Sequence, residues 1–334
     1  MRLKKVAAIG LAAALAVSTL TGCSGGNDSA DGKKKIGVVQ LVEHDALDSA
    51  YDGFKDGLEE AGYKDGDNIE IEYKNAQNEQ SNCQTIAQQF VTDQCDLVLA
   101  IATPAAQAMA NETKDIPILV TAVTDPADAK LVKSNDEPGT NVSGTSDLTP
   151  VEKQMELLKE LVPDAKRVAM LYCSAEANSK FQVDLAKKAA EKLGMESVEA
   201  TVSESSEIRQ VVESLKGKVD AIYSPTDNMI AAGINTVSMV ANEAKLPFIV
   251  GEEGMCQGGG LATYGINYYE LGKQTAAQAV KILEGEAEPK DMPIEYQENA
   301  DLIINEDTAK ELGITIPDNL KKEAKMVTTQ KTAE

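Results

Sequence analysis

Strand-length apolar runs alternate with helix-period segments from residue 36 onward, and that order leaves few folds open. IGVVQLV (36–42), NIEIEYKN (68–75), DLVLAIA (96–102) and IPILVTAV (116–123) read as strands. The segments between them carry apolar residues at helical spacing, as Tyr51, Phe54 and Leu58 do within 48–62. A βαβα order implies a parallel sheet with helices on both faces. VSGTSDL (142–148) reads as a short strand leaving this series. A helix over 150–162 then opens a second series with the same logic: RVAMLYC (167–173), ESVEATV (196–202), DAIYS (220–224) and PFIVG (247–251) are strands, and 228–244 between the last two reads as one helix. LATYGINY (261–268) is a further strand, followed by a helix over 271–285 and a strand pair around PIEY (293–296) and ADLIIN (300–305).

The fold class expected is therefore α/β: two doubly wound parallel-sheet lobes joined by a hinge, with a ligand cleft between them. A helix after Tyr268 that packs back on the first lobe makes each lobe discontinuous. The boundaries expected are 36–147 plus 267–290 for the N-terminal lobe and 148–266 plus 291–320 for the C-terminal lobe. Residues 321–334, charged and without apolar spacing, read as a fraying tail.

The start of the chain is of another kind. Arg2, Lys4 and Lys5 precede the apolar run Val6–Leu20, which ends in Leu20-Thr21-Gly22-Cys23. Small residues before a cysteine match a lipobox, so 1–22 reads as a lipoprotein signal peptide and Cys23 as the lipidation site. Residues 23–35, small and polar, are a flexible tether. The chain is thus expected on the extracytoplasmic face of a cell membrane, held by lipid. Its formal charge of −22 becomes −25 once the three basic groups of the leader are gone, which argues against a nucleic-acid partner. Cys83, Cys95, Cys173 and Cys256 are expected as free buried thiols, since a helix separates the closest two by more than a disulfide spans. With one histidine, His44, a His-rich metal site is excluded. No GxSxG elbow, P-loop, HExxH or CxxC occurs, so an enzyme is not expected, and no metal or other cofactor is.

Two loops have the same layout. In DAIYSPTDN (220–228) a buried strand breaks at Ser224 and Pro225 and delivers Thr226, Asp227 and Asn228 to a helix start; in DLVLAIATP (96–104) Thr103 and Pro104 do the same. Ligands of open α/β sheets bind at such carboxyl ends. Each loop is equally well read as an ordinary βα connection with capping residues.

Several segments in order resemble a known family: IGVVQLVEHDALD, AIATPAAQAMA with IPILVTAVTDP, PGTNVSGTSDL, AEANS after LYC, and SPTDN followed by GGGLATYGINYYELG. They look like the tryptophan-type substrate-binding lipoproteins of ABC importers, over roughly residues 35–315. The resemblance implies a type I periplasmic-binding fold, an amino-acid cargo that is often aromatic, an ABC permease as partner, and hinge closure around the ligand. A monomer is expected. A lipoprotein sensor feeding a signalling partner, or a receptor for a nucleoside or sugar, would use the same fold.

A zwitterionic amino acid needs a carboxylate and neutral acceptors for its ammonium, which Asp227 and Asn228 offer. Its carboxylate needs hydroxyls and free N–H groups at helix starts, for which Thr103, Asn178 and Ser179 are placed. Only Arg167 and Arg209 remain after the leader, both outside the loops, so an anionic cargo is disfavoured. Tyr264, Tyr172 and Tyr223, close to strand ends, are candidate aromatic walls. Glu43 and His44 follow the first strand into the same layer, as Thr124 and Asp125 follow the fourth. Ser146 and Asp147 lie at the crossover and fit either hinge or site.

Overall fold

A computed structural model describes residues 32–330. The leader, Cys23 and most of the tether lie outside the described residues, as do 331–334.

Lobe one is built on a five-stranded sheet in the order β2-β1-β3-β4-β5, parallel throughout: β1 (Lys34–Gln40), β2 (Ile69–Asn75), β3 (Leu97–Ile101), β4 (Ile118–Thr121) and β5 (Val142–Gly144). Its central strand β3, LVLAI, is buried at every position because helices cover both faces. These are α1 (Asp45–Glu60), α2 (Gln80–Thr92), α3 (Thr103–Glu112) and the returning α10 (Tyr268–Leu283). Glycines set the contact between α1 and α10. A Cβ at Gly53 would lie 1.9 Å from the Tyr269 carbonyl oxygen, and one at Gly272 would lie 2.0 Å from that of Ala50. The two backbones touch where no side chain fits, which is how a helix so late in sequence becomes part of the first lobe.

Lobe two carries a seven-stranded sheet in the order β12-β11-β10-β9-β8-β6-β7. Its strands are β6 (Arg167–Cys173), β7 (Glu196–Val202), β8 (Ala221–Ser224), β9 (Phe248–Val250), β10 (Ala262–Gly265), β11 (Asp301–Asn305) and β12 (Lys325–Val327), parallel except for the β10–β11 pair. The helices are α4 (Val151–Leu161), α5 (Ala177–Lys192), α6 (Ile208–Ser214), α7 (Asn228–Ala232), α8 (Ile234–Glu243), α9 (Glu253–Gln257), α11 (Glu306–Leu312) and α12 (Asp318–Glu323).

Four expectations are corrected. PIEY makes only a single bridge, Thr145 to Glu295, because Pro293 interrupts it. Residues 291–297 stay with lobe one: Ile294 N–H donates to Asn135 O and Ser143 Oγ to Met292 O, so the return to lobe two falls after 297. The charged tail does not fray at its start. Leu320 is buried, and β12 pairs with β11 as the sheet's edge strand, with Lys325 exposed and Met326 and Val327 half-buried. The helix over 228–244 is two helices, broken at Gly233.

Three segments cross between the lobes, and each is tied to the other two. Ser146 N–H donates to Glu295 O, Asn267 N–H to Gln297 Oε1, and Tyr268 Oη to Asp147 Oδ2 at 2.7 Å. Cys83, Cys95, Cys173 and Cys256 are free and buried. No helix among the described residues is long and apolar enough to cross a membrane.

Candidate functional site

The carboxyl ends of both parallel sheets face one cleft. On the lobe-one side the chain leaves β3 and β4 through two alanines in unusual conformations, Ala102 (φ 79°, ψ 153°) and Ala122 (φ 54°). A side chain at positive φ is strained, and the Ala102 region of backbone space is essentially reserved for glycine. The kink aims the first turn of α3 into the cleft with Thr103 buried and Pro104 half-buried. No side chain caps this helix, so its leading N–H groups and the positive end of its dipole are available. Thr124 is buried beside it. Asp125 instead organises a turn: its Oδ1 accepts from Ala127 N–H, Asp128 N–H and Asn135 Nδ2. Ser146 is also structural, donating to Thr124 O at 2.7 Å and accepting from Leu148 N–H.

On the lobe-two side the start of α7 is heavily capped. Asp227, fully buried, accepts from Ile230 N–H at 2.9 Å through Oδ1 and from Cys173 N–H at 2.7 Å through Oδ2. Glu176, on the loop before α5, accepts from Met229 N–H through Oε1 and from Asn228 N–H, Asn228 Nδ2 and Asn178 Nδ2 through Oε2. Burial first, and then the Asp227 charge, push the Glu176 carboxyl well above the usual carboxylate range. Burial raises Asp227 as well, against the pull of its N–H donors and of Ser179. Both acids are therefore occupied by helix capping, and the ammonium role expected of Asp227 does not fit its geometry.

The lobes meet over a set of neutral polar side chains. His44 Nε2 of lobe one lies 3.3 Å from Asn228 Oδ1 of lobe two. Loss of hydration, only partly offset by that contact, pushes the imidazole down to about 4, so it is neutral at pH 7. Gln182 Nε2, on α5, reaches Thr124 Oγ1 at 3.2 Å across the cleft and Thr226 Oγ1 at 2.7 Å in its own lobe. Asn178 and Phe181, from the same helix, face Thr103 and Ala129 across a narrow gap. At the crossover, Asp147 is 4% exposed. Its Oδ2 receives the Tyr268 hydroxyl, whereas its Oδ1 is buried without a donor, as are Asn178 Oδ1 and Gln182 Oε1. Burial raises the Asp147 carboxyl, and the Tyr268 and Thr124 hydroxyls oppose that. A buried carboxylate oxygen with no partner is costly and marks a place where a donor belongs.

Open space lies at the rim, where Glu43, His44 and Asp45 face Ala231, Glu252 and Gly254 around about 190 Å³, and a larger space of about 470 Å³ adjoins it between Asp45, Ser49, Glu253 and Tyr268. Glu43 sits there, exposed. The desolvated cluster deeper in the cleft is the better candidate site, because its groups have lost water and three acceptors lack donors.

Tyr264 is a correction. Its ring is half-exposed on the far face of lobe two, with Lys153 of α4 over it and its hydroxyl near Glu323 of α12. Alternation along β10 sends it there. Tyr172 packs in the core of lobe two, and Tyr223 is fully buried with its hydroxyl on Gln154 Oε1. Glu176, Gln182, Phe181 and Tyr268 escaped the sequence reading. Gln182 was within reach of it, one helical turn after Asn178.

Comparison with known proteins agrees with this layout. Residues 35–328 match the family model described as ABC transporter substrate binding protein. The chain belongs to that family. It is 48% identical over 330 residues, 95% of each chain, to a tyrosine-binding protein of Clostridioides difficile (strain R20291). Among solved structures it is similar to an ABC domain in complex with L-Trp from Streptococcus pneumonia (43% identity, 88% of this chain and 99% of that one, TM-score 0.86). It is also similar to the ligand-free, open structure of a substrate-binding protein with adhesive properties from Clostridium difficile (49% identity, 89% and 100%, TM-score 0.68). The more identical structure superposes less well, as a difference in lobe separation produces when the lobes themselves are alike. The His44–Asn228 and Gln182–Thr124 contacts make the present arrangement a closed one. Family membership makes this substrate-binding protein a binder of its ligand and not an enzyme.

Proposed function

We propose that this protein captures an amino acid with an aromatic side chain between its lobes and hands it to an ABC permease, while a lipid on Cys23 holds it at the outer face of the cell membrane. The unpartnered Asp147 Oδ1 carries the reading: a buried carboxylate oxygen without a donor, next to the Thr124 hydroxyl that meets Gln182 across the cleft, suits an ammonium group. Asn178 Oδ1 and Gln182 Oε1 are further acceptors for it. The ligand carboxylate belongs at the uncapped start of α3, with Thr103 and Pro104 below it and Thr124 beside it. Thr226 and Asn228 close the site from lobe two, His44 from lobe one, and Phe181 offers a flat apolar face. The relatives named as tyrosine-binding and as an L-Trp complex support an aromatic cargo.

The test is calorimetry of residues 24–334 with L-tryptophan, L-tyrosine, L-leucine, a nucleoside and a hexose. An aromatic amino acid binds, and Asp147→Asn weakens it by roughly 30-fold or more, as removal of a buried charge partner does. Binding of the nucleoside or hexose alone would refute the cargo. The chain has no tryptophan, so fluorescence of bound L-tryptophan gives an independent signal.

A further inference from the structure

Of the three ties between the crossing segments, one differs from the others in kind. Ser146–Glu295 is a backbone bond, and Asn267–Gln297 joins the backbone of the exposed Asn267 to the half-buried Gln297 side chain. Asp147–Tyr268 joins two buried side chains, 4% and 6% exposed. Asp147 belongs to the first crossing and Tyr268 opens α10 directly after the second. The carboxylate therefore has one oxygen on the hinge tie and the other buried without a hydrogen-bond partner, in a residue whose neighbour Thr124 meets Gln182 across the cleft.

We infer that Tyr268 is a positioning residue: its hydroxyl orients Asp147 for the ligand and links occupancy of the cleft to the hinge. This rests on the ammonium assignment above. Without the Tyr268 hydroxyl, the Asp147 carboxylate keeps only the Thr124 hydroxyl and its own backbone N–H as donors and is held less firmly. With it, only Oδ1 faces the ligand, and a ligand charge on Oδ1 strengthens the acceptor at Oδ2, so that binding tightens the tie between two crossing segments. The tyrosine stays a donor throughout, since burial first and then the Asp147 charge push its hydroxyl well above the ordinary tyrosine value. The ionised groups acting on Tyr268 are Asp147 and Glu252, beside α9; the groups acting on Asp147 are the Tyr268 and Thr124 hydroxyls and its own backbone N–H.

The first measurement needs no ligand. The titration midpoint of the Asp147 carboxyl carbon, assigned with Asp147→Asn by NMR, rises by roughly one pH unit in Tyr268→Phe, because a donor to the charged form is gone. The second is the pH profile of L-tryptophan affinity. Protonation of Asp147 removes the ammonium partner, so affinity falls on the acid side, and in Tyr268→Phe that fall moves to higher pH by the same amount. Gln297→Ala, which loosens a different hinge tie, leaves the acid limb where it is. An unmoved Asp147 midpoint in Tyr268→Phe, or a loss of affinity equal at every pH, overturns the inference and leaves the ammonium assignment standing. Unchanged affinity in Asp147→Asn removes that assignment instead, and the two failures are told apart by which variant shows them.

Discussion

The two lobes present similar βα loops to the cleft and treat them oppositely. After β3 the chain passes through a strained Ala102 into a helix that no side chain caps. After β8 it passes through Thr226 into a helix start that two buried carboxylates, Asp227 and Glu176, saturate with acceptors. Lobe one thus keeps unsatisfied donors and lobe two has spent its own. On the proposed function, that contrast gives a zwitterion one favoured direction, carboxylate toward α3 and ammonium toward Asp147. Loops alike in sequence layout differ in function because the acceptors for one of them come from a distant segment, Glu176.

The largest effect expected from breaking this contrast is in lobe two. Asp227→Ala removes a helix cap and leaves the Cys173 N–H buried without an acceptor, for a loss of roughly 3 kcal/mol in urea unfolding. A variant as stable as the wild type that no longer binds L-tryptophan would return Asp227 to the ligand and erase the difference between the loops. In lobe one the sign reverses. Ala102→Gly relieves a conformation that only glycine adopts freely, so stability rises by about 1 kcal/mol after the entropic cost of glycine, while affinity falls as the start of α3 loosens. Destabilisation by this change would mean that the loop stores no strain.

A pH-dependent effect concerns the contact between the lobes. The His44 imidazole has a folded-state value near 4, below the 6.5 of an unfolded histidine, so the native state binds fewer protons between those values. That preference for neutrality lowers stability as pH falls from about 6.5 toward 4. His44→Gln keeps a neutral partner for Asn228 and flattens this slope, although the raised Glu176 carboxyl acts in the opposite direction in both proteins. Thermal melts of the two across that range give the comparison, and parallel slopes would show that His44 is hydrated enough to charge without penalty.

Much of the fold was legible because its determinants are local. The run LVLAI is too apolar for anything but a strand covered on both faces, and Tyr51, Phe54 and Leu58 mark one helical stripe. The strand KMV was not legible, since three residues in a charged context become a strand only when the exposed edge of β11 offers them a ladder. In the site, position was readable and role was not. Thr103, Asn178, Thr226, Asn228 and His44 all reached the cleft, as strand-end residues of parallel sheets do. Tyr264 did not, because a one-residue step along a strand reverses the face. Asp125, Ser146 and Asp227 lie at the cleft but spend their oxygens on the backbone, which only a donor-by-donor account reveals.

By itself the sequence determined the βα alternation, the two series and the strand-end loops that face each other, because periodicity and turn chemistry act over a few residues. Tertiary structure decided which carboxylate remains free. Asp147 and Asp227 both follow short strands and both are acids; one meets the Tyr268 hydroxyl and keeps a buried oxygen without a partner, the other meets two backbone N–H groups. That difference arises from contacts 121 and 54 residues apart in the chain, beyond the range of any local pattern.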